Sequence, residues 1–289
     1  MVKQGVRALG VAAVGLLVFG IAGPPAAAAQ DLQGTRSLAM GGSLRAAPTG
    51  ETALLLNPAG MTLARSYVIN ALYQYRGSDT GSLVNASVVD SATKKLAAGL
   101  YYSFMHATPS RTIALGKGKI YKLEETLQTH EAGLALAYPI GDMFHLGVTN
   151  KYVNQGIEQP EDIATEAKQL QRDGNSGYTL DAGLIVKLMP SLNIAVVGQN
   201  LVPLDIREYP RLLGMGISYA LGTTLLAEFD AVLDFDSADE IKPSYHGGAE
   251  LFFAKRYAIR GGAQHDTVRD ATYVTGGVGI VVSKLALDV

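Results

Sequence analysis

The chain has 289 residues, a formal net charge of −2, no Cys and 48% hydrophobic residues. That balance leaves no electrostatic footprint for nucleic acid, and without Cys there is neither a disulfide framework nor a thiolate metal site. Charged residues make up only 17% while Gly numbers 33 and Tyr 14 against no Trp, which suits a sheet that meets lipid on one face.

Residues 1–29 read as an export signal peptide. Lys3 and Arg7 supply a basic start, and Ala8 to Ala22 is apolar apart from glycines. Pro24-Pro25 and Ala26 to Ala29 then give a break and small residues for cleavage near Ala29. The run is short for a spanning helix, which needs about 20 residues. Losing Lys3 and Arg7 takes the formal charge from −2 to −4. Further on, no run of roughly 18 apolar residues occurs, so any crossing of a membrane falls to strands.

Residues 30–65 differ in kind, and read as an N-terminal plug or hatch segment. Gly41-Gly42 marks a flexible turn, Thr52 to Leu56 is short and apolar, and Asn57-Pro58 disfavours further helix before Gly60 punctuates again. A segment of this length ahead of the first strand fits either inside a lumen or as a lead-in below its periplasmic mouth. The residues leave both open.

Residues 66–289 alternate as an outer-membrane β-barrel. Twelve strands are predicted, at about 66–76, 82–90, 96–105, 128–138, 144–153, 177–188, 192–199, 211–219, 225–233, 244–252, 257–264 and 273–282. Each approaches the roughly 9–11 residues that a tilted strand needs to cross. In 225–234 one face is Leu225, Ala227, Phe229, Ala231 and Leu233, and the other includes Glu228, Asp230 and Asp234. Apolar-out and polar-in, repeated along a chain, is the pattern of an antiparallel transmembrane barrel. Links after the even strands are short, and those after the odd strands mostly long and polar, matching periplasmic turns and extracellular loops. Leu285 to Val289 opens a short thirteenth strand. Bacterial single-chain barrels have even strand numbers. The stub is therefore either a loose end at a twelve-strand seam or the start of a truncated barrel whose parent has fourteen, and truncation is the expectation.

Ser37-Leu38-Ala39-Met40-Gly41-Gly42, followed by Leu54-Leu55-Leu56-Asn57-Pro58-Ala59-Gly60-Met61, resembles the start of the FadL-type superfamily of outer-membrane barrels. That grouping holds long-chain fatty-acid and hydrocarbon transporters and PorV/PorQ-like proteins. The Asn-Pro-Ala-Gly form, with Asn200-Leu201-Val202-Pro203 and Tyr209-Pro210-Arg211, looks closer to the PorV/PorQ-like branch. The resemblance implies a fourteen-stranded barrel plugged by its N-terminal segment, with Asn57, Pro58, Ala59 and Gly60 as the plug motif.

Inward-facing candidates are Glu131, Lys151, Asp181, Lys187, Glu228, Asp230, Glu250 and Arg260. Charges of both signs inside a barrel brace neighbouring strands, hold a plug, or line a polar path. Glu250 and Arg260 fall on adjacent strands and are expected to pair. No catalytic constellation is legible. His106, His130, His145 and His246 are dispersed, no serine sits in a G-x-S-x-G, and His265-Asp266 is a loop-end pair without a partner. No metal, no cofactor and no enzyme activity are therefore expected. In the loops, Arg111, Lys117, Lys119 and Lys122 suit lipid headgroups, and Ile163, Ala167 and Leu170 fall on one face of a short helix within 160–172.

The leading expectation is passive uptake of small hydrophobic molecules such as fatty acids across a bacterial outer membrane. The alternative is a PorV-like membrane platform binding envelope protein partners in secretion or surface attachment. Partners would be outer-membrane lipid and hydrophobic small molecules or envelope proteins, with no nucleic acid.

Overall fold

The computed structural model describes residues 11–14, 18–19, 33–77, 80–114, 120–158, 173–282 and 284–289. The cleavage point near Ala29, Lys117, Lys119 and the predicted helix within 160–172 lie outside these. Thirteen strands form the wall. They are β1 (Tyr67–Arg76), β2 (Gly81–Asp90), β3 (Ala97–Ala107), β4 (Thr126–Ile140), β5 (Phe144–Glu158), β6 (Asn175–Met189) and β7 (Leu192–Gln199). Then come β8 (Leu212–Leu221), β9 (Leu225–Asp234), β10 (Lys242–Phe253), β11 (Tyr257–Asp266), β12 (Ala271–Val282) and β13 (Leu285–Asp288). Each pairs antiparallel with its neighbours in chain order. The fold is an all-β antiparallel transmembrane barrel of twelve full strands and a short thirteenth.

An odd count makes β1 and β13 run the same way, so they cannot close as an antiparallel pair. Val11–Val14 occupies the seam instead, parallel to both, with Ala12 opposite Ile69 on one side and Leu285 on the other. Val11–Val14 lies in the segment read as the export signal, so this pairing belongs to the unprocessed chain.

Side-chain alternation is clearest in β5. Phe144, Leu146, Val148 and Tyr152 face outward, while His145, Gly147, Thr149, Lys151 and Val153 are buried inside. Ile69, Leu100, Leu134, Ile217, Phe229 and Ile259 continue the outward apolar belt around the wall. This is the apolar band a bilayer requires.

Three features differ from the expectations. Strands β4, β5 and β6 each reach 15 residues, about 50 Å at roughly 3.3 Å per residue, longer than a bilayer demands. Polar residues such as Asn154 and Gln155 end the hydrophobic pattern without ending the ladder. In the stretch 106–127, expected as loop, Ser110–Ala114 pairs with Ile120–Glu124 as a ribbon, because β-branched and aromatic residues favour strand there. Residues 200–210, expected as an extracellular loop, instead fold inward. Ile206 and Tyr209 are buried against Val153, and Asn200 turns the chain at a φ of 55°, a conformation Asn tolerates.

The interior is occupied by residues 33–65. Helix α1 (Thr35–Ala39) and helix α2 (Glu51–Leu56) are followed by a 3-10 turn over Pro58–Thr62. Pro58 stops α2, and Asn57, extended, caps the turn by accepting a bond from the Ala59 amide at 3.2 Å. Met40, Leu44, Leu54, Asn57 and Met61 are almost fully buried.

Candidate functional site

The site is the lumen, built from the inward faces of the strands and the segment that fills it. Two pairs of glycines carve notches in the wall. Gly147 and Gly183 face each other across β5 and β6, and a Cβ on either would collide with the Asn57-Pro58-Ala59 backbone or the Asn57 carboxamide. Gly248 and Gly262 face each other across β10 and β11, where a Cβ would run into the Met40-Gly41 backbone. Only glycine lets another backbone approach a sheet so closely. Asn57 also donates to the Arg45 carbonyl at 2.9 Å, so the Asn-Pro-Ala-Gly stretch joins wall and segment.

Charged groups hold the same segment from the other side. Arg36 binds Glu250 with two parallel bonds, 3.0 Å from Nε and 2.8 Å from Nη2. Arg260 reaches the same carboxylate at 2.6 Å and Asp288 of β13 at 2.7 Å. The expected Glu250–Arg260 pair therefore exists and extends into a four-membered chain. Arg45 contacts Asp230 at 3.2 Å through both its amide and its guanidinium, with both side chains buried. Glu228 accepts from the Ala46 amide. Both His246 at its Nδ1 (2.9 Å) and Thr275 hold the Gly41 backbone.

Higher in the lumen lies a second cluster. Lys151 pairs with Asp181 at 2.8 Å and donates to Asn200 at 2.7 Å, while the Asn200 amide returns to Asp181. Glu131 accepts from both Tyr101 and Tyr209, the latter at 2.6 Å. Tyr101, Glu131, Lys151, Asn200, Tyr209 and Arg45 border a cavity of about 50 Å³, room for water and little else. Lys187 stands apart, at the short-turn end, between cavities of about 390 Å³ and about 480 Å³.

The opposite wall carries an apolar patch. Leu72 of β1, Leu83 and Val89 of β2 and Met105 of β3 point inward and form one buried cluster with Leu54, Leu55 and Met61. The lumen thus has an oily patch over β1–β3, set among the buried polar Asn70, Asn85 and Ser103, and an ionic side over β4–β11. Within the filling segment, burial pushes the Glu51 carboxyl up to about 7, with the Asp288 charge adding to it, and its Oε1 has no hydrogen-bond partner.

All eight inward candidates face the lumen, but they serve separate clusters. Their pairing partners include Arg36, Arg45 and Tyr101, which no sequence pattern marks, and Asn200 and Tyr209, which the sequence marks only through the family resemblance. His265 and Asp266 do not converge. His265 meets Thr272 at 3.0 Å, while Asp266 pairs with Arg269 at 2.6 Å.

No protein-family model matches the chain, and no curated protein matches it by sequence. Solved structures do. The toluene transporter TodX of Pseudomonas putida superposes with a TM-score of 0.63 at 14% identity, covering 89% of this chain and 91% of TodX. The Ralstonia pickettii toluene transporter TbuX gives 0.60 at 16% identity, covering 87% and 90%. A TodX variant described as a monoaromatic hydrocarbon channel gives 0.57 at 12% identity, over 86% and 89%. The chain shares the fold of these barrels across nearly its whole length.

Proposed function

We propose that the protein is exported, is cleaved near Ala29, and works in the bacterial outer membrane as a passive uptake channel for small hydrophobic molecules. The observation that carries this is the apolar inner patch of Leu72, Leu83, Val89 and Met105, unusual for a lumen otherwise lined by polar and ionic groups. A water-filled pore for polar solutes gains nothing from such a patch. The likeness to toluene transporters supports the same reading. Monoaromatic hydrocarbons and fatty acids are both candidate substrates, captured among the loops and passed along the oily patch. Release requires residues 33–65 to shift, because the cavity above them is too small for a hydrocarbon. Asn57-Pro58-Ala59, seated in the Gly147–Gly183 notch, is the part of the segment that would move.

A PorV-like platform for protein partners is the second reading, and the filled, ion-paired lumen favours it. Liposome uptake of labelled toluene, a labelled long-chain fatty acid and a labelled sugar separates the two. Saturable entry of toluene or the fatty acid without the sugar supports transport. A folded barrel that admits none of the three, with and without residues 35–62, refutes it.

A further inference from the structure

The short-turn end of the barrel holds a cavity that the transport reading does not use. Its volume is about 390 Å³, and its lining includes Arg65, Lys94, Lys95 and Lys187 against a single acid, Asp142. Neither Lys94, Lys95 nor Lys187 forms an ion pair among the described residues. Arg65 is partly committed, donating to the Ala92 and Lys94 carbonyls at 2.9 and 3.3 Å and so fixing the turn that carries the two lysines. Like charges gathered without counter-ions repel one another, and an anion relieves that repulsion.

A second observation is independent of the charges. His145 also lines the cavity, is only 4% exposed, and its Nε2 is buried without a hydrogen-bond partner. Its Nδ1 lies 2.7 Å from the Thr62 hydroxyl, whose own proton is given to the Ala59 carbonyl at 2.9 Å. The Thr62 oxygen can then only accept, so Nδ1 carries the imidazole proton. Neutral His145 therefore keeps an unshared lone pair at Nε2, buried in the cavity's wall. A buried ring nitrogen left this way carries a desolvation cost until a donor reaches it.

We propose that this cavity is a binding site for a phosphate group that carries a hydroxyl beside its charged oxygens. The anionic oxygens face Lys94, Lys95 and Lys187, and the hydroxyl donates to His145 Nε2. Inorganic phosphate satisfies both demands through its P–OH. So does the headgroup of phosphatidylglycerol, whose glycerol hydroxyls sit next to its phosphodiester. The short-turn end is the periplasmic end in barrels of this type. Lipid is close at hand, since Leu96, Met143, Phe144, Leu188 and Met189 form an exposed apolar collar at this level.

The test uses the refolded full chain in detergent, with folding of every variant checked by far-ultraviolet circular dichroism. Inorganic phosphate and sulfate are titrated separately at constant ionic strength in chloride, reading tyrosine fluorescence and thermal midpoint. Phosphatidylglycerol and phosphatidylcholine retention is read by native mass spectrometry. Saturable phosphate binding at least tenfold tighter than sulfate is expected, because sulfate lacks the hydroxyl. Retention of phosphatidylglycerol over phosphatidylcholine identifies the lipid as source, and phosphate binding alone identifies the soluble anion. Replacing Lys94→Gln together with Lys95→Gln, both exposed in a turn, is expected to weaken binding about tenfold, equivalent to about 1.4 kcal/mol. Lys242→Gln, at the long-loop end of β10 and away from the cavity, should change nothing. Equal binding of sulfate and phosphate, equal binding by the lysine variant, or no saturable binding of phosphate or phosphatidylglycerol overturns the proposal.

Discussion

Replacing Arg45 with Met isolates the force that seats the interior segment. Met keeps an unbranched stem over Gly214, where the Arg45 Cδ now lies, but removes the guanidinium. Asp230, fully buried beside it, then keeps the residue 45 amide but loses its counter-charge. Breaking a buried pair from one side costs about 3–5 kcal/mol, since the surviving charge stays desolvated. A loss of about 4 kcal/mol shifts the seated-to-displaced ratio by roughly three orders of magnitude. The strand ladders are untouched, so the barrel should still form. Channel conductance in planar bilayers and protease access to residues 33–65 should both rise. Adding Asp230→Leu removes the orphaned charge and should restore most of the closed behaviour. An Arg45→Met protein as closed and as protease-resistant as the parent would refute this reasoning, and so would a double variant no better than the single.

Gly183→Val is expected to dislodge Asn57 by direct collision and lower the thermal midpoint, whereas Gly261→Val, on the lipid side of β11, should be nearly neutral in the same melt. Asn57→Leu abolishes the bonds to the Ala59 amide and the Arg45 carbonyl and should cost about 1–3 kcal/mol, measured by urea unfolding. Stability should also fall as pH rises. The folded chain keeps a proton on Glu51 up to about 7, while the unfolded chain releases it near 4.5, so this contribution is complete below 4.5 and lost as pH passes 7. The decline is on the order of 2–3 kcal/mol, and in Glu51→Gln it should vanish from melts compared at pH 5 and pH 8.

The wall was legible because a strand facing lipid and lumen at once must alternate, and a period of two survives local noise. Ranges such as 144–153 under-reached because the ladder continues past the bilayer, where nothing enforces an apolar face. The inward charges were legible for the same reason as the wall. Their partners were not, since pairing of the N-terminal segment with β9 or β10 leaves no local pattern. One clue was available. The eight inward candidates comprise five acids and three bases, and the interior segment carries Arg36 and Arg45, which balance the difference. The inward fold of residues 200–210 escaped because Val202, Leu204 and Ile206 alternate over only five residues, interrupted by Pro203, too short a run to show which way the segment turns. Gly147 and Gly183 looked like ordinary strand glycines until the register placed them opposite each other.

The seating of residues 33–65 has a bearing on the order in which the molecule assembles. Arg45 bonds a residue 185 positions later, Arg36 one 214 positions later, and Gly41 one 234 positions later. Such distant contacts close the largest loops the chain can make and form late. The portion of the segment that leaves the ribosome among the first therefore finds its partners among the last. Until β9 to β12 are in place, Leu54, Leu55 and Met61 have an oily patch on one side and no ionic clamp on the other. During that interval the nascent barrel exposes an apolar helix at its mouth, the kind of surface that envelope chaperones exist to shield.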